Sequence, residues 1–265
     1  MTNVPTYPVT VSVLPTREAL GRAAGELAAR HLRGVLESHP NATLMLAAAP
    51  SQATTLAALA TEPDIDWSRV NAFHMDEYLG LDPEAPQGFG SWLQRSFVSH
   101  VPSMTFHRMS VVGDPHLDAE AYAAQLPRGL FDLVLLGLGV NGHLAFNDPP
   151  ARLDDPQDTR VVELDDVSRR QQVDEGHFRT VEAVPRRAIT VTIPRLLRAR
   201  HVVASVREGS NVMRSAPRSP LRSGRTTPAP PCALIPTSPC SWTRSRRPDE
   251  HAWSRCGASR PRRTS

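Results

Sequence analysis

The run Phe131-Asp132-Leu133-Val134-Leu135-Leu136 is apolar without alternation, and it leads directly into Gly137-Leu138-Gly139-Val140-Asn141-Gly142-His143. A strand that is apolar on both faces must be covered on both, which layered α/β folds achieve with helices above and below a parallel sheet. Gly137, Gly139 and Gly142 let the chain turn sharply while its backbone comes close to a ligand. His143 and Asp148 then stand just beyond the strand, where open α/β sheets keep their chemistry.

The rest of the first 206 residues repeats this alternation. Thr16 is placed to cap a helix running to about Ser38, with Leu20, Ala24, Leu27 and Val35 on one face. Residues 42–49 read as a buried strand, Pro50-Ser51-Gln52 as a turn, and a second helix begins near Ala53. A strand over 69–74, a helix near 89–100, a short strand near Met104 and a helix over 118–126 follow. Strand 189–193, helix 194–198 and strand 201–206 complete the series beyond the central run. The pattern predicts an α/β, three-layer Rossmann-like fold with a mostly parallel sheet and helices on both faces. The chain has 265 residues, 40% of them hydrophobic, which suffices for one large core. No segment reaches the roughly 18 apolar residues of a membrane span, and Met1-Thr2-Asn3-Val4-Pro5 lacks the order of a signal peptide. The expectation is a cytoplasmic protein with no membrane partner.

Charge divides the chain in two. All 30 basic residues are arginine, and with abundant Ala, Pro and Gly this points to a gene rich in G and C. Residues 1–206 hold 18 Arg against 24 acidic residues, a net of −6, whereas 207–265 hold 12 against 3, a net of +9. The boundary expected is therefore an α/β domain over 1–206 followed by an Arg/Pro/Ser-rich tail over 207–265.

Four stretches carry a family resemblance: His74-Met75-Asp76-Glu77-Tyr78-Leu79-Gly80-Leu81, residues 137–149 (ending Gly142-His143-Leu144-Ala145-Phe146-Asn147-Asp148-Pro149), Arg169-Arg170-Gln171-Gln172-Val173, and Ala188-Ile189-Thr190-Val191-Thr192-Ile193-Pro194. Together they resemble the glucosamine-6-phosphate deaminases, within the wider family that includes the 6-phosphogluconolactonases. The resemblance covers nearly all of residues 10–206. It implies conversion of glucosamine 6-phosphate and water to fructose 6-phosphate and ammonia. Such chemistry moves protons: the ring opens, carbon 2 loses a proton, carbon 1 gains one, and ammonia leaves. The resemblance gives the carbon-to-carbon transfer to Asp76, with Glu77 in support. His143 is expected to serve the ring oxygen and the carbon 1 hydroxyl, since imidazole suits proton traffic near neutral pH. Asp148 would hold the ring in position.

The chain also departs from the family. Many members have an aspartate where Asn141 stands and a glutamate where Asp148 stands, although one branch carries Gly-x-Asn-Gly-His. Asn141 can accept a hydrogen bond but cannot stabilise an imidazolium by charge. For phosphate, Ser51, Thr54 and Thr55 offer hydroxyls after the first buried strand, where better-known members have a glycine-rich turn. Gly142 would bring backbone to the substrate, and Arg169 or Arg170 would clamp the phosphate. His74, flanked by apolar residues, reads as a core histidine. The histidines are scattered and all three cysteines lie in the tail, so no metal and no cofactor is expected. The partner implied is a small-molecule sugar phosphate, with no nucleic acid; homo-oligomers are left open.

Beyond about Arg207 the alternation stops: nine prolines and ten serines occur among 59 residues. A disordered basic tail is the ordinary reading. A sharper one is a displaced reading frame. Residues 213–220, written in G/C-rich codons and shifted by two bases, give Ala-Val-Arg-Ala-Ala-Leu-Ala, similar to the family's next helix. The same offset across residues 236–247 allows Asp-Val-Thr-Leu-Phe-Leu-Asp-Pro-Glu-Ser-Ala, similar to its final strand. The expectation is loss of a helix, a strand and a phosphate-binding lysine, leaving an open sheet edge and impaired activity. Two other functions share the residues: a 6-phosphogluconolactonase-type hydrolysis, and sugar-phosphate binding without turnover. The tail lacks the aromatic interleaving of a nucleic-acid binder.

Overall fold

A computed structural model describes residues 10–207 and 232–237. Strand β1 (Ser12–Leu14) precedes helix α1 (Arg17–Ser38), which starts where Thr16 Oγ1 accepts the Ala19 N–H at 3.1 Å. Leu20, Ala24, Ala28, Leu32 and Val35 form the buried stripe of α1. Two glycines on the same helix bring helix α2 (Ala53–Ala60) close. A Cβ at Gly21 would lie 2.4 Å from Thr54 Cβ, and one at Gly25 2.7 Å from Ala58 Cβ, so neither position tolerates a side chain without separating the helices.

The central sheet is built on β2 (Ala42–Leu46), β3 (Val70–His74), β5 (Thr105–His107), β6 (Phe131–Leu136) and β9 (Ala199–Arg207), all parallel, in the order β9-β6-β2-β3-β5. Alternate residues of these strands serve opposite layers. Leu44, Leu46, Leu133, Leu135 and Val203 join α1, α2 and α3 (Phe89–Ser96) in one core. Met45, Phe73, Val134, Leu136 and Val202 join α4 (Pro115–Gln125) and α6 (Ile193–Leu197) in the other. The unbroken apolar run of β6 is therefore explained by covering on both faces. Its single acid, Asp132, accepts the Thr43 N–H and hydroxyl, both at 2.8 Å, and pairs with Arg200 at 3.0 Å.

A second sheet, absent from the sequence expectation, holds β4 (Asp76–Tyr78), β7 (Thr159–Glu163) and β8 (Arg187–Val191), all antiparallel, in the order β4-β8-β7. Only Met75 separates β3 from β4, and its carbonyl accepts the Val191 N–H at 2.7 Å. The chain thus leaves the parallel sheet at Met75 and is captured by β8, so that Asp76 falls on the junction. The sequence hid β4 because three residues, two of them acidic, carry no alternation.

One expectation for the tail is corrected. Residues within the proposed irregular segment form β10 (Cys232–Thr237), antiparallel between β9 and β1, so the edge of β9 is covered. The segment begins Cys-Ala-Leu-Ile, an apolar run able to enter a sheet. Pro236, which has no N–H to give, lies beyond the three residues paired with β1 and faces only β9. The remaining tail expectations, over 208–231 and 238–265, lie outside the described residues. Among the described residues no helix is long and apolar enough to cross a membrane.

Candidate active site

The carboxyl ends of β2, β3 and β6 open into one cavity. Ala47, Ala48, Ala49 and Ser51 line it after β2, Met75 and Asp76 after β3, and Gly137, Leu138, Gly139 and His143 after β6. Phe89 and Phe146 provide apolar wall, and Gln171, Gln172 and Glu175 of the segment beginning as helix α5 (Asp166–Asp174) close the remaining side.

Asp76 is 7% exposed. Burial, and next the neighbouring Glu77, raise its carboxyl well above the usual range. Glu77 was expected to support Asp76 directly, but successive residues of a strand point to opposite faces. Its carboxylate turns to the start of α3 and accepts N–H groups of Phe89 (3.0 Å), Gly90 (2.8 Å) and its own neighbour Tyr78 (3.0 Å). It is a helix cap outside the cavity, and burial still lifts its proton affinity despite those three donors. His74 is the core histidine the sequence predicts. Its Nδ1 meets the Asp76 carbonyl at 3.0 Å, its Nε2 accepts the Met109 N–H at 2.8 Å, and burial pushes it down to about 4.

The loop after β6 is folded around His143. Gly142 adopts φ +86°, and the Gly139 N–H reaches the His143 carbonyl at 2.9 Å. A Cβ at Gly139 would lie 2.1 Å from His143 Nε2, so the ring occupies the space that only glycine leaves. The far end of the loop is fastened to β8: Asn147 Nδ2 donates to Val191 O at 2.9 Å and the Phe146 N–H to Thr190 Oγ1 at 3.2 Å. Gly142 does not line the cavity, and its expected contact with substrate is corrected to a turn-forming role.

His143 Nδ1 faces Ser168 Oγ at 3.0 Å and Asp148 Oδ1 at 3.3 Å. Asn141 Nδ2 donates to Asp148 at 3.2 Å, and Asn141 Oδ1 accepts the His143 N–H at 3.0 Å. Burial would raise the Asp148 carboxyl, but hydrogen bonds from His143, Ser168 and Asn141 outweigh it and bring it down to about 2. Asn141 and Asp148 therefore stand behind the imidazole rather than in the cavity, as the sequence predicts for Asp148.

The phosphate-binding expectations fare differently. Only Ser51 lines the cavity. Thr54 packs against Gly21 of α1, and buried Thr55 bonds Ser205 Oγ at 3.1 Å. Arg169 is 4% exposed, with its guanidinium donating to the carbonyls of Val181 and Val184 and to Asp166 Oδ1. Arg170 is exposed and lies on the opposite side of α5 from Gln171, Gln172 and Glu175. Neither arginine reaches the cavity, so the clamp assigned to them is corrected. Arg17 donates to the Pro50 carbonyl, next to Ser51. Ser168 and Glu175 escaped the sequence reading, and Gln171 and Gln172 entered it without a site role, although the i, i+3, i+4, i+7 spacing of the four marks one helical face. Among the described residues no group of three or more His, Cys, Asp or Glu is arranged to hold a metal ion.

Comparison with known proteins matches this arrangement to one family. The sequence profile described as "Glucosamine-6-phosphate isomerases/6-phosphogluconolactonase" covers residues 15–240. A glucosamine-6-phosphate deaminase of Halothermothrix orenii is 34% identical over 188 residues, 69% of this chain and 75% of that protein. One from an Arthrobacter species is 32% identical over 200 residues, covering 73% and 74%. Among solved structures, a monomeric glucosamine-6-phosphate deaminase superimposes with TM-score 0.64 at 24% identity, over 71% of this chain and 78% of that one. A 6-phosphogluconolactonase of Shewanella baltica gives 0.59 at 18% identity, over 71% and 77%.

Proposed function

The chain belongs to the glucosamine-6-phosphate isomerase/6-phosphogluconolactonase family, enzymes acting on sugar phosphates, and on that premise we propose that it converts glucosamine 6-phosphate and water to fructose 6-phosphate and ammonia. The observation that carries the reading is the meeting of Asp76 and His143 in one cavity, each delivered by a different strand end. Nδ1 of His143 is engaged by Ser168 and Asp148, and Nε2 has no protein hydrogen-bond partner among the described residues. Nε2 takes the proton of the carbon 1 hydroxyl and returns it to the ring oxygen as the ring opens. Asp76 then takes the proton from carbon 2 and delivers it to carbon 1, while the carbon 1 aldehyde oxygen becomes a hydroxyl by taking one proton from the substrate's carbon 2 ammonium. The resulting imine at carbon 2 adds water and releases ammonia, leaving the ketose.

The raised proton affinity of Asp76 fits a base that must also give its proton back. A substrate ammonium at carbon 2 favours the ionised carboxylate before transfer, and an apolar wall of Phe89 and Phe146 makes that pairing strong. The ionisable side chains lining the cavity are Asp76, His143 and Glu175, with no arginine among the described lining residues.

The same reading extends to the carboxyl end: residues beyond about 207 derive from a displaced frame that lacks the family's phosphate-binding lysine, and activity is reduced accordingly. Its support is the change in composition. The pairing of β10 and the family match up to residue 240 limit the damage, since part of this stretch still completes the sheet. Ammonia release and ketose formation from glucosamine 6-phosphate, measured beside hydrolysis of 6-phosphogluconolactone, test the function. Turnover of the lactone alone would replace the deaminase reading with the hydrolase.

A further inference from the structure

We propose that Ser168 is a positioning residue that fixes the His143 proton on Nδ1 and so presents an unprotonated Nε2 to the cavity. The proposal rests on the reading of His143 as the group that moves protons at the sugar ring.

Ser168 has no exposed surface, and its Oγ lies 3.0 Å from His143 Nδ1 and 2.5 Å from Asp148 Oδ1. A hydroxyl has one proton to donate and lone pairs with which to accept. Asp148, brought down to about 2, is a carboxylate near neutral pH and can only accept. The Ser168 proton must therefore point at Asp148, which leaves Oγ to accept from Nδ1. The other neighbour of Nδ1 is Asp148 itself, at 3.3 Å, again an acceptor. Two acceptors and no donor require the ring proton on that side. The serine also spans the gap to a carboxylate whose direct approach to the ring is the longer of the two contacts.

Both partners are set by the start of α5. Asp165 caps that helix by accepting the Ser168 N–H at 2.6 Å, while its own N–H meets Asp148 Oδ2 at 3.3 Å. One residue thus fixes serine and aspartate relative to each other, and the hydroxyl can hardly turn elsewhere.

Nitrogen-15 NMR of the full-length labelled chain, with the His143 signals identified by their loss in His143→Gln, reads the tautomer without requiring activity. The expected result is a protonated Nδ1 in the unsubstituted protein, a mixture in Ser168→Ala, and return of the single form in Ser168→Thr. In parallel, kcat for deamination falls about tenfold in Ser168→Ala with KM unchanged, the size of one lost polar contact. A protonated Nε2 in the unsubstituted protein overturns the proposal, as does a Ser168→Ala protein that keeps both tautomer and kcat. Absence of deamination by the unsubstituted chain would instead overturn the proposed function, and the spectra would still decide the role of Ser168.

Discussion

The two ends of the cavity were assigned from similar kinds of residue, yet only one of them is assembled. At the end proposed to move protons, Asp76 and His143 line a common space, and Asn141, Asp148 and Ser168 brace the imidazole from behind. At the end expected to grip phosphate, Thr54, Thr55, Arg169 and Arg170 are engaged elsewhere or face away, and Ser51 alone remains. The difference lies in what holds each residue. Asp76 and His143 sit at a strand end and on a glycine loop, where the fold leaves side chains over open space, and Ser168 of α5 meets that loop from behind. The second sits on helices, where a polar residue on the packed face is consumed by the packing itself.

The largest effect expected is at Asp76. Asp76→Asn should lower kcat for deamination by about a thousandfold, the scale of a lost general base, whereas Arg170→Ala should leave KM and kcat unchanged. An Arg170→Ala protein with greatly raised KM would break the contrast. Gly139→Ala comes next. Its Cβ would meet His143 Nε2 at 2.1 Å, and the displaced ring should cost about a hundredfold in kcat with little change in thermal unfolding.

If the tail derives from a displaced frame, as proposed, restoring that frame after about residue 206 should lower KM about tenfold by returning a cation to the phosphate end. Equal turnover by both versions would remove the damage hypothesis, and the nucleotide sequence around codons 205–213 would show whether the second frame continues to a natural stop. Arg169→Ala should instead cost stability, about 2 kcal/mol for the lost guanidinium bonds to the carbonyls of Val181 and Val184, read as a lower unfolding midpoint. Glu77→Gln weakens the cap on α3 and should cost about 1 kcal/mol.

The smallest effect is one of pH. Asp148 has a folded-state value near 2, below its ordinary 3.8, so its contribution to stability is complete above about pH 4 and is lost as pH falls toward 2. Asp148→Asn should remove that acid-dependent part from the unfolding curve.

How far the sequence could be read follows the same division. The apolar runs of β2, β3, β6 and β9 and the Thr16 cap on α1 are local patterns, and they specified the sheet. β4 and β7 are short and mostly polar, so pairing with β8 rather than their own composition makes them strands. The opposite directions of Asp76 and Glu77 needed that pairing to be known. Ser168 was hidden for a different reason: its sequence context announces a helix start, and nothing local shows that the first turn of α5 would meet a loop 25 residues earlier. Thr55 likewise meets Ser205 across the fold, a long-range contact that removes its hydroxyl from the site.

Coupled measurement of ammonia and fructose 6-phosphate from glucosamine 6-phosphate, made on the unsubstituted chain, Asp76→Asn and His143→Gln, tests the central claim. The account predicts equal amounts of the two products from the unsubstituted chain and loss of both in each variant while the variants remain folded. Undiminished product formation by either folded variant would contradict it.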